Sequence, residues 1–294
     1  MPSCAETRRL RPLLGTFVEI RVRAEDGMEA RAAIESGFAA VARVHALMSF
    51  QETSSDVARL NARARTGAVR VHPWTRHVIA AALDFSRASG GDFDCAVAPV
   101  LVRHGPRPKT VSGAEPAGNW RDIELLDECR IRFARPLAID LGGIAKGFAV
   151  DRAIEAIHGF GGVSAAAVNA GGDLRLFGPE ESPIYVRDPV APQQLVLVGM
   201  LRDGALATSA APFGKSGGAQ LDRSPFIDPR TRQPVRPAAS VSVIAPDAIT
   251  ADALTKPVLL RGPRASAGLL ARYHAQAVVV DGRGQGGPER HYAA

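Results

Sequence analysis

The chain is poor in cysteine. Cys4, Cys95 and Cys129 are far apart, odd in number and without C-x-x-C spacing. That argues against a disulfide framework and a thiolate zinc centre and fits a reducing compartment. Long apolar runs are also missing: no stretch approaches the roughly 20 residues that span a bilayer, and no apolar signal region opens the sequence. Arg8-Arg9 superficially suggests a twin-arginine signal, but Leu10 to Ile20 is interrupted by Pro12, Gly15 and Glu19. The expectation is a cytoplasmic protein with no membrane insertion.

A dense basic block is absent as well. The 36 Lys+Arg outnumber the 30 Asp+Glu for a formal charge of +6, but arginines such as Arg59, Arg121, Arg152 and Arg272 are scattered and no aromatic stripe interleaves them. No nucleic-acid partner is expected on that distribution. There is no internal repeat and no histidine cluster; His72 and His77 sit five apart in a Pro/Trp-containing segment that reads as structural or exposed. What is present is 294 residues with 46% hydrophobic content, enough for a substantial core.

Periodicity supplies the elements. Thr16 to Val22 alternates as a strand, with Val18, Ile20 and Val22 on one face. Glu29 to Met48 is a helix with Ile34, Phe38, Val41 and His45 on one side, and Val78 to Phe85 marks a second helix stopped by Gly90-Gly91. Arg103 to Gly118 reads as a long surface loop, and Ile144 to Ile157 as a third helix. Beyond Gly162 come short strand-like runs at 165–169, 174–177, 184–187, 195–200 and 241–245, then helices over 247–260 and 265–273 and a closing strand over 277–281. Strands in runs with unevenly interspersed helices indicate an α+β fold.

The most informative stretch is Asp140-Leu-Gly-Gly-Ile-Ala-Lys-Gly147, which joins a carboxylate, a glycine pair and a lysine to a helix start. Glycines allow close backbone approach, and an ammonium beside a helix N-terminus favours phosphate oxygens. Its spacing matches neither G-x-G-x-x-G nor a Walker loop. Ser209-Ala-Ala-Pro-Phe-Gly-Lys-Ser216 imitates a Walker loop, but it has Ser209 in place of the first glycine and Gly217-Gly218 in place of a helix. Similar polar or glycine groups close other elements: Leu13-Leu-Gly-Thr16, Gly91-Asp-Phe-Asp94, Asn169-Ala-Gly-Gly-Asp173, Phe226-Ile-Asp-Pro-Arg-Thr231 and Ala251-Asp-Ala-Leu-Thr-Lys256. Singly each is an ordinary turn or cap. Together they offer carboxylates where a cation-plus-phosphate site is commonly built, with Asp252 and Thr255 on one helix face.

In that order the segments resemble the ApbE family of FAD:protein FMN transferases, from about Leu13 to Asp281. The resemblance implies an ApbE/T-fold-like architecture of antiparallel sheets and packed helices over 13–284, with 1–12 an N-terminal extension and 285–294 a C-terminal tail. It implies FAD as substrate and Mg²⁺ at its diphosphate. It also implies a partner flavoprotein whose Ser or Thr hydroxyl takes FMN through a phosphoester while AMP leaves. By position, Asp140 and Lys146 would contact FAD, Asp92, Phe93 and Asp94 would line the nucleotide site with Phe226 nearby, and Leu14 and Gln51 would lie on the flavin side. The Gly143 carbonyl, Asp252 and Thr255 would hold the metal.

Departures fall on the ligand side. Lys256 stands where the family's metal-binding Thr is usual, so two readings are open: Thr255 supplies the oxygen, or the Lys256 ammonium replaces the cation. Pro225 stands where a His is usual, leaving Asp228 as the candidate for supporting the acceptor side; Gln51 replaces a Tyr and Arg232 a Gly. Two rivals follow: a non-catalytic FAD- or nucleotide-binding assembly factor, and a pyrophosphatase splitting FAD to FMN and AMP.

Overall fold

A computed structural model describes residues 5–104, 118–189, 191, 193–210, 224–235, 237, 239–281 and 289–293. The 105–117 part of the expected loop and most of the Walker-like segment lie outside them. The chain opens with a hairpin of β1 (Ala5–Leu13) and β2 (Thr16–Ala24), whose two-residue turn, Leu14-Gly15, has φ of 56° and 71°. Residues 5–12, read from sequence as an extension, thus belong to the sheet. Arg8, Arg9 and Arg11 give this edge strand the composition of a polar leader, although Arg8 pairs with Glu19 and Arg11 with Glu35.

Four helices and a small sheet follow. Asp26 caps α1 (Gly27–Met48) and Ser55 caps α2 (Asp56–Arg63), while α3 spans Pro73–Ala88 and α4 Ala98–His104. The strands β3 (Val69–Arg70), β4 (Ile123–Leu125) and β5 (Arg130–Phe133) form a three-stranded sheet. Then come α5 (Ala145–His158), β6 (Val163–Ala170), β7 (Asp173–Phe177), β8 (Ser182–Arg187), β9 (Leu195–Leu201) and β10 (Ala205–Ser209). A short β11–β12 ribbon (Ile227–Asp228, Gln233–Pro234) precedes β13 (Ala239–Ala245), α6 (Ala248–Arg261), α7 (Ala267–Arg272), β14 (Gln276–Asp281) and β15 (Glu289–Ala293). The last strand pairs with β14, so 289–293, within the expected C-terminal tail, belong to the sheet.

Eight strands form one antiparallel sheet in the order β1-β2-β6-β7-β10-β13-β14-β15. Helices α1, α5 and α6 cover one face, burying Val18, Ile20, Phe38, Phe148 and Leu254. The β8–β9 ribbon covers part of the other, where Leu174, Leu176, Val186, Val198 and Val280 cluster. The two-residue period of β7 therefore divides its side chains: Leu174 and Leu176 face the ribbon, while Asp173 and Arg175 face the helices and pair with Lys146 and Asp151 of α5. Among the described residues no helix is long and apolar enough to cross a membrane.

The α5–α6 crossing fixes the site. Asp151 of α5 accepts from the first amides of α6, Ala248 at 2.9 Å and Ile249 at 2.8 Å, and from Arg175 at 2.6 Å. Gly147 lets the helices touch, because a Cβ there would sit 2.1 Å from the Ala248 carbonyl oxygen and 2.9 Å from Asp252 Cβ. Backbone cannot yield as a flexible side chain does. Gly147→Ala is expected to lower the unfolding free energy by about 2–3 kcal/mol in urea titrations, and wild-type stability would show that the crossing tolerates a methyl.

Candidate functional site

The turn from Asp140 to Ile144 is anchored at its start. Asn61 clamps Ile139, donating to its carbonyl at 3.0 Å and accepting from its amide at 2.8 Å, while the Asp140 amide donates to Cys95 O at 2.8 Å. Asp140 Oδ1 accepts from the Gly142 amide at 2.6 Å, which folds the glycine pair into a compact turn. Two cavities open on either side. The first, of about 380 Å³, is lined by Asp92, Phe93, Asp94, Cys95, Val97, Leu101, Gly143, Thr208, Ser209, Pro225, Phe226, Ile227, Pro229, Lys256, Leu259 and Leu260, among others. The second, of about 370 Å³, is lined by Leu14, Gly15, Val44, His45, Met48, Ser49, Phe50, Gln51 and Ala145. Asp140, Gly142 and Lys146 line both.

The expected ligand contacts thus separate cleanly. Leu14 and Gln51 lie in one cavity, Asp92, Phe93, Asp94 and Phe226 in the other, and Asp140 and Lys146 at their junction. His45, placed by periodicity on the core side of α1, instead lines the second cavity beside Met48. Asp92 is engaged by two arginines, accepting from Arg230 Nε at 2.9 Å and from Arg261 at 3.0 and 2.7 Å. Those arginines tie the 228–232 turn and the end of α6 to the cavity mouth, a link that no local motif announces. Asp228 is placed differently from its expected role. Its neighbours Ile227 and Pro229 line the cavity, whereas its own carboxylate turns to the Arg230 amide at 2.9 Å.

Behind the junction lies a buried charge cluster. Lys146 is paired with Asp173, and Lys256 with Asp252 one helical turn before it. Burial pushes the Asp173 carboxyl up to about 6, with repulsion from Asp252 adding to it and Lys146 and Lys256 opposing. Burial also works to raise Asp252, but Lys256 and Lys146 overcome it and hold that carboxyl below its ordinary value. Burial would pull the Lys146 ammonium down; Asp173 and Asp252 prevail and keep it charged.

This arrangement does not fit a resident Mg²⁺, which needs near-octahedral oxygen ligands, usually with waters among them. Asp252 is 1% exposed and behind the cavity wall, with Oδ1 taken by Lys256 and Oδ2 accepting from the Gly147 amide at 3.2 Å. Thr255 is fully buried, donating to Asp252 O at 2.7 Å and sharing a hydrogen bond with Ser209 Oγ at 2.8 Å. Gly143 faces the Lys256 stem, since a Cβ there would meet Cε at 3.1 Å. Of the three expected metal contacts, only Gly143 lines the cavity, and the wall charge beside it is the ammonium. No group of three His, Cys, Asp or Glu among the described residues could hold a metal.

Comparison with known proteins matches residues 14–280 to the model of the ApbE family. The FAD:protein FMN transferase of Treponema pallidum is 26% identical over 91% of this chain and 82% of its own, and that of Haemophilus influenzae 25% identical over 74% and 69%. The crystal structure of the ApbE protein from Thermotoga maritima superposes with a TM-score of 0.81 at 27% identity, covering 98% of this chain and 97% of that one. The flavin transferase ApbE from Vibrio cholerae, at 21% identity and a TM-score of 0.80, shares the fold over 99% of this chain and 98% of that one.

Asp94 gives the cavity wall a pH signature. Burial raises its carboxyl from 3.8 to about 6, against the opposing amides of Ala96 at 2.7 Å and Trp120 at 3.3 Å. The folded chain therefore holds this proton more tightly than the unfolded chain, and the associated stability is lost as pH rises from about 4 to about 6. Asp94→Asn removes that proton. Urea unfolding across this range should show the variant gaining relative to wild type as pH rises; a constant difference would mean that Asp94 titrates normally.

Proposed function

The chain belongs to the ApbE family, and on that premise we propose that it is an FAD:protein FMN transferase, with FAD bound across the two cavities and its diphosphate over the Asp140–Gly142–Lys146 junction. The single observation carrying this reading is that two cavities of similar size meet at one turn bearing a glycine and an ammonium. A dinucleotide has that shape: two bulky ends and an anionic waist. The flavin occupies the cavity of Leu14, Phe50 and Gln51, and the adenosine end the cavity of Phe93 and Phe226.

The reaction is substitution at the FMN-side phosphorus. A Ser or Thr hydroxyl of the acceptor flavoprotein forms the new P–O bond, the bond to the AMP oxygen breaks, AMP leaves, and the hydroxyl proton is released. Phosphoryl transfer depends on position and charge stabilisation more than on covalent help from the protein. Lys146, fixed by Asp173, supplies positive charge at the waist. The Asp140 turn aligns the diphosphate, and the apolar wall of Leu259, Leu260 and Val97 reduces water access. Pro225, in the wall, has no proton to exchange, and Asp228 serves the turn; neither is assigned the proton transfer. That same Pro225 favours one second reading, an FAD-binding assembly factor without turnover.

The test incubates the protein with FAD and a Ser/Thr-bearing acceptor, then reads acceptor mass and free AMP. Stoichiometric AMP and an acceptor heavier by FMN are expected, and Lys146→Met should slow both by on the order of a hundredfold. AMP without acceptor modification identifies FAD hydrolysis, FAD binding without AMP identifies the assembly factor, and absence of FAD binding sinks the proposal.

A further inference from the structure

We infer that Lys256 is a tethered cation that takes the place of a divalent metal at the diphosphate end of the first cavity, so that this chain binds its dinucleotide without Mg²⁺. The inference rests on the reading of the junction as a diphosphate site. Its own ground is the order of groups seen from the cavity. Lys256 lines the wall with a side chain 22% exposed, whereas the Asp252 side chain behind it is 2% exposed. Nζ donates to the Asp252 backbone carbonyl at 2.8 Å and pairs with the same residue's carboxylate. Both oxygens that this residue could offer from this side are thereby engaged by one ammonium.

Charge count points the same way. Lys146 and Lys256 line the cavity with the carboxylates they neutralise, Asp173 and Asp252, buried behind them. Of the carboxylates in the lining, Asp92 is matched by Arg230 and Arg261, Asp140 accepts from the Gly142 amide, and Asp94 accepts from the Ala96 and Trp120 amides. A divalent ion entering beside Lys256 would meet like charge and would have to displace an ammonium held at two acceptors. An incoming diphosphate finds two ammonium groups already in place, with no ion to recruit. Space agrees with charge: the Lys256 stem packs against Gly143, where even a methyl would approach Cε to 3.1 Å. Thr255, the neighbouring oxygen, is fully buried behind Ser209 of the cavity wall and cannot serve the cavity without breaking two buried hydrogen bonds.

The test measures FAD affinity from flavin fluorescence, in excess EDTA and in millimolar MgCl₂. Wild type should change by less than about twofold between them, a difference worth under half a kcal/mol at RT ln 2. Lys256→Thr removes the ammonium and uncovers Asp252. It should lose about tenfold or more in affinity in EDTA, recover in MgCl₂, and bind Mn²⁺ without FAD by electron paramagnetic resonance, as wild type should not. A wild-type affinity that collapses in EDTA overturns the tethered cation and leaves the FAD reading standing; Mn²⁺ binding by wild type at this site does the same. Absence of FAD binding in both solutions overturns both. The wild-type comparison decides the matter even where a variant fails to fold.

Discussion

The constraint on which the rest depends is the burial of two carboxylates, Asp173 and Asp252, beneath a cavity floor. An unpaired buried carboxylate costs several kcal/mol, so each must have a cation within reach. Lys146 and Lys256 meet that need from two different helices. The cluster therefore ties α5, α6 and β7 into one unit. It also aims its positive partners outward, because the lysine stems are long and the aspartates short. The charge balance that satisfies the interior is what places two ammonium groups in the cavity wall.

Neighbouring contacts hold that cluster in place. Asp173 reaches the helices because it alternates with Leu174 along β7, and Arg175, two residues on, fixes Asp151 against the start of α6. Gly147 then allows α6 to lie close enough for its Asp252 to accept from the α5 backbone. Removing side-chain volume at one crossing thus sets the distance at which two charges meet. Sheet, crossing and cavity floor are one arrangement viewed from three sides.

Much of this was legible in the sequence, and the limits have physical reasons. Helices α1, α3 and α5 carry period-3.6 apolar faces, α6 opens on the cap Asp247, β7 alternates apolar and polar residues, and β13 carries a β-branched run, so their existence could be read from local pattern. The edge strand β1 could not, since its arginines satisfy an edge and not a core. The small sheet of β3, β4 and β5 is too short for periodicity to register. Glycine turns and aspartates pointed to several residues that line the two cavities, because turn chemistry is local. What each carboxylate does was not legible. Asp92 answers to Arg230 and Arg261, and Asp252 to the Gly147 amide as well as to Lys256 one turn along, and the partners remote in sequence leave no local trace.

Lys256 shows how a site can change while its scaffold does not. On α6 the residues around it are committed: Asp252 and Thr255 face inward, and Leu254 and Val258 fill the core. A substitution at any of these would leave a cavity or an unpaired polar group and be resisted by the whole crossing. Lys256 instead combines a partly exposed side chain with a place in the cavity wall, which it shares with Leu259 and Leu260. A change there alters the charge presented to a ligand and leaves the packing intact. The ammonium there finds its acceptors one turn back, in the carbonyl and carboxylate of Asp252. Such a position can set the charge of a cavity wall without disturbing the crossing that builds it.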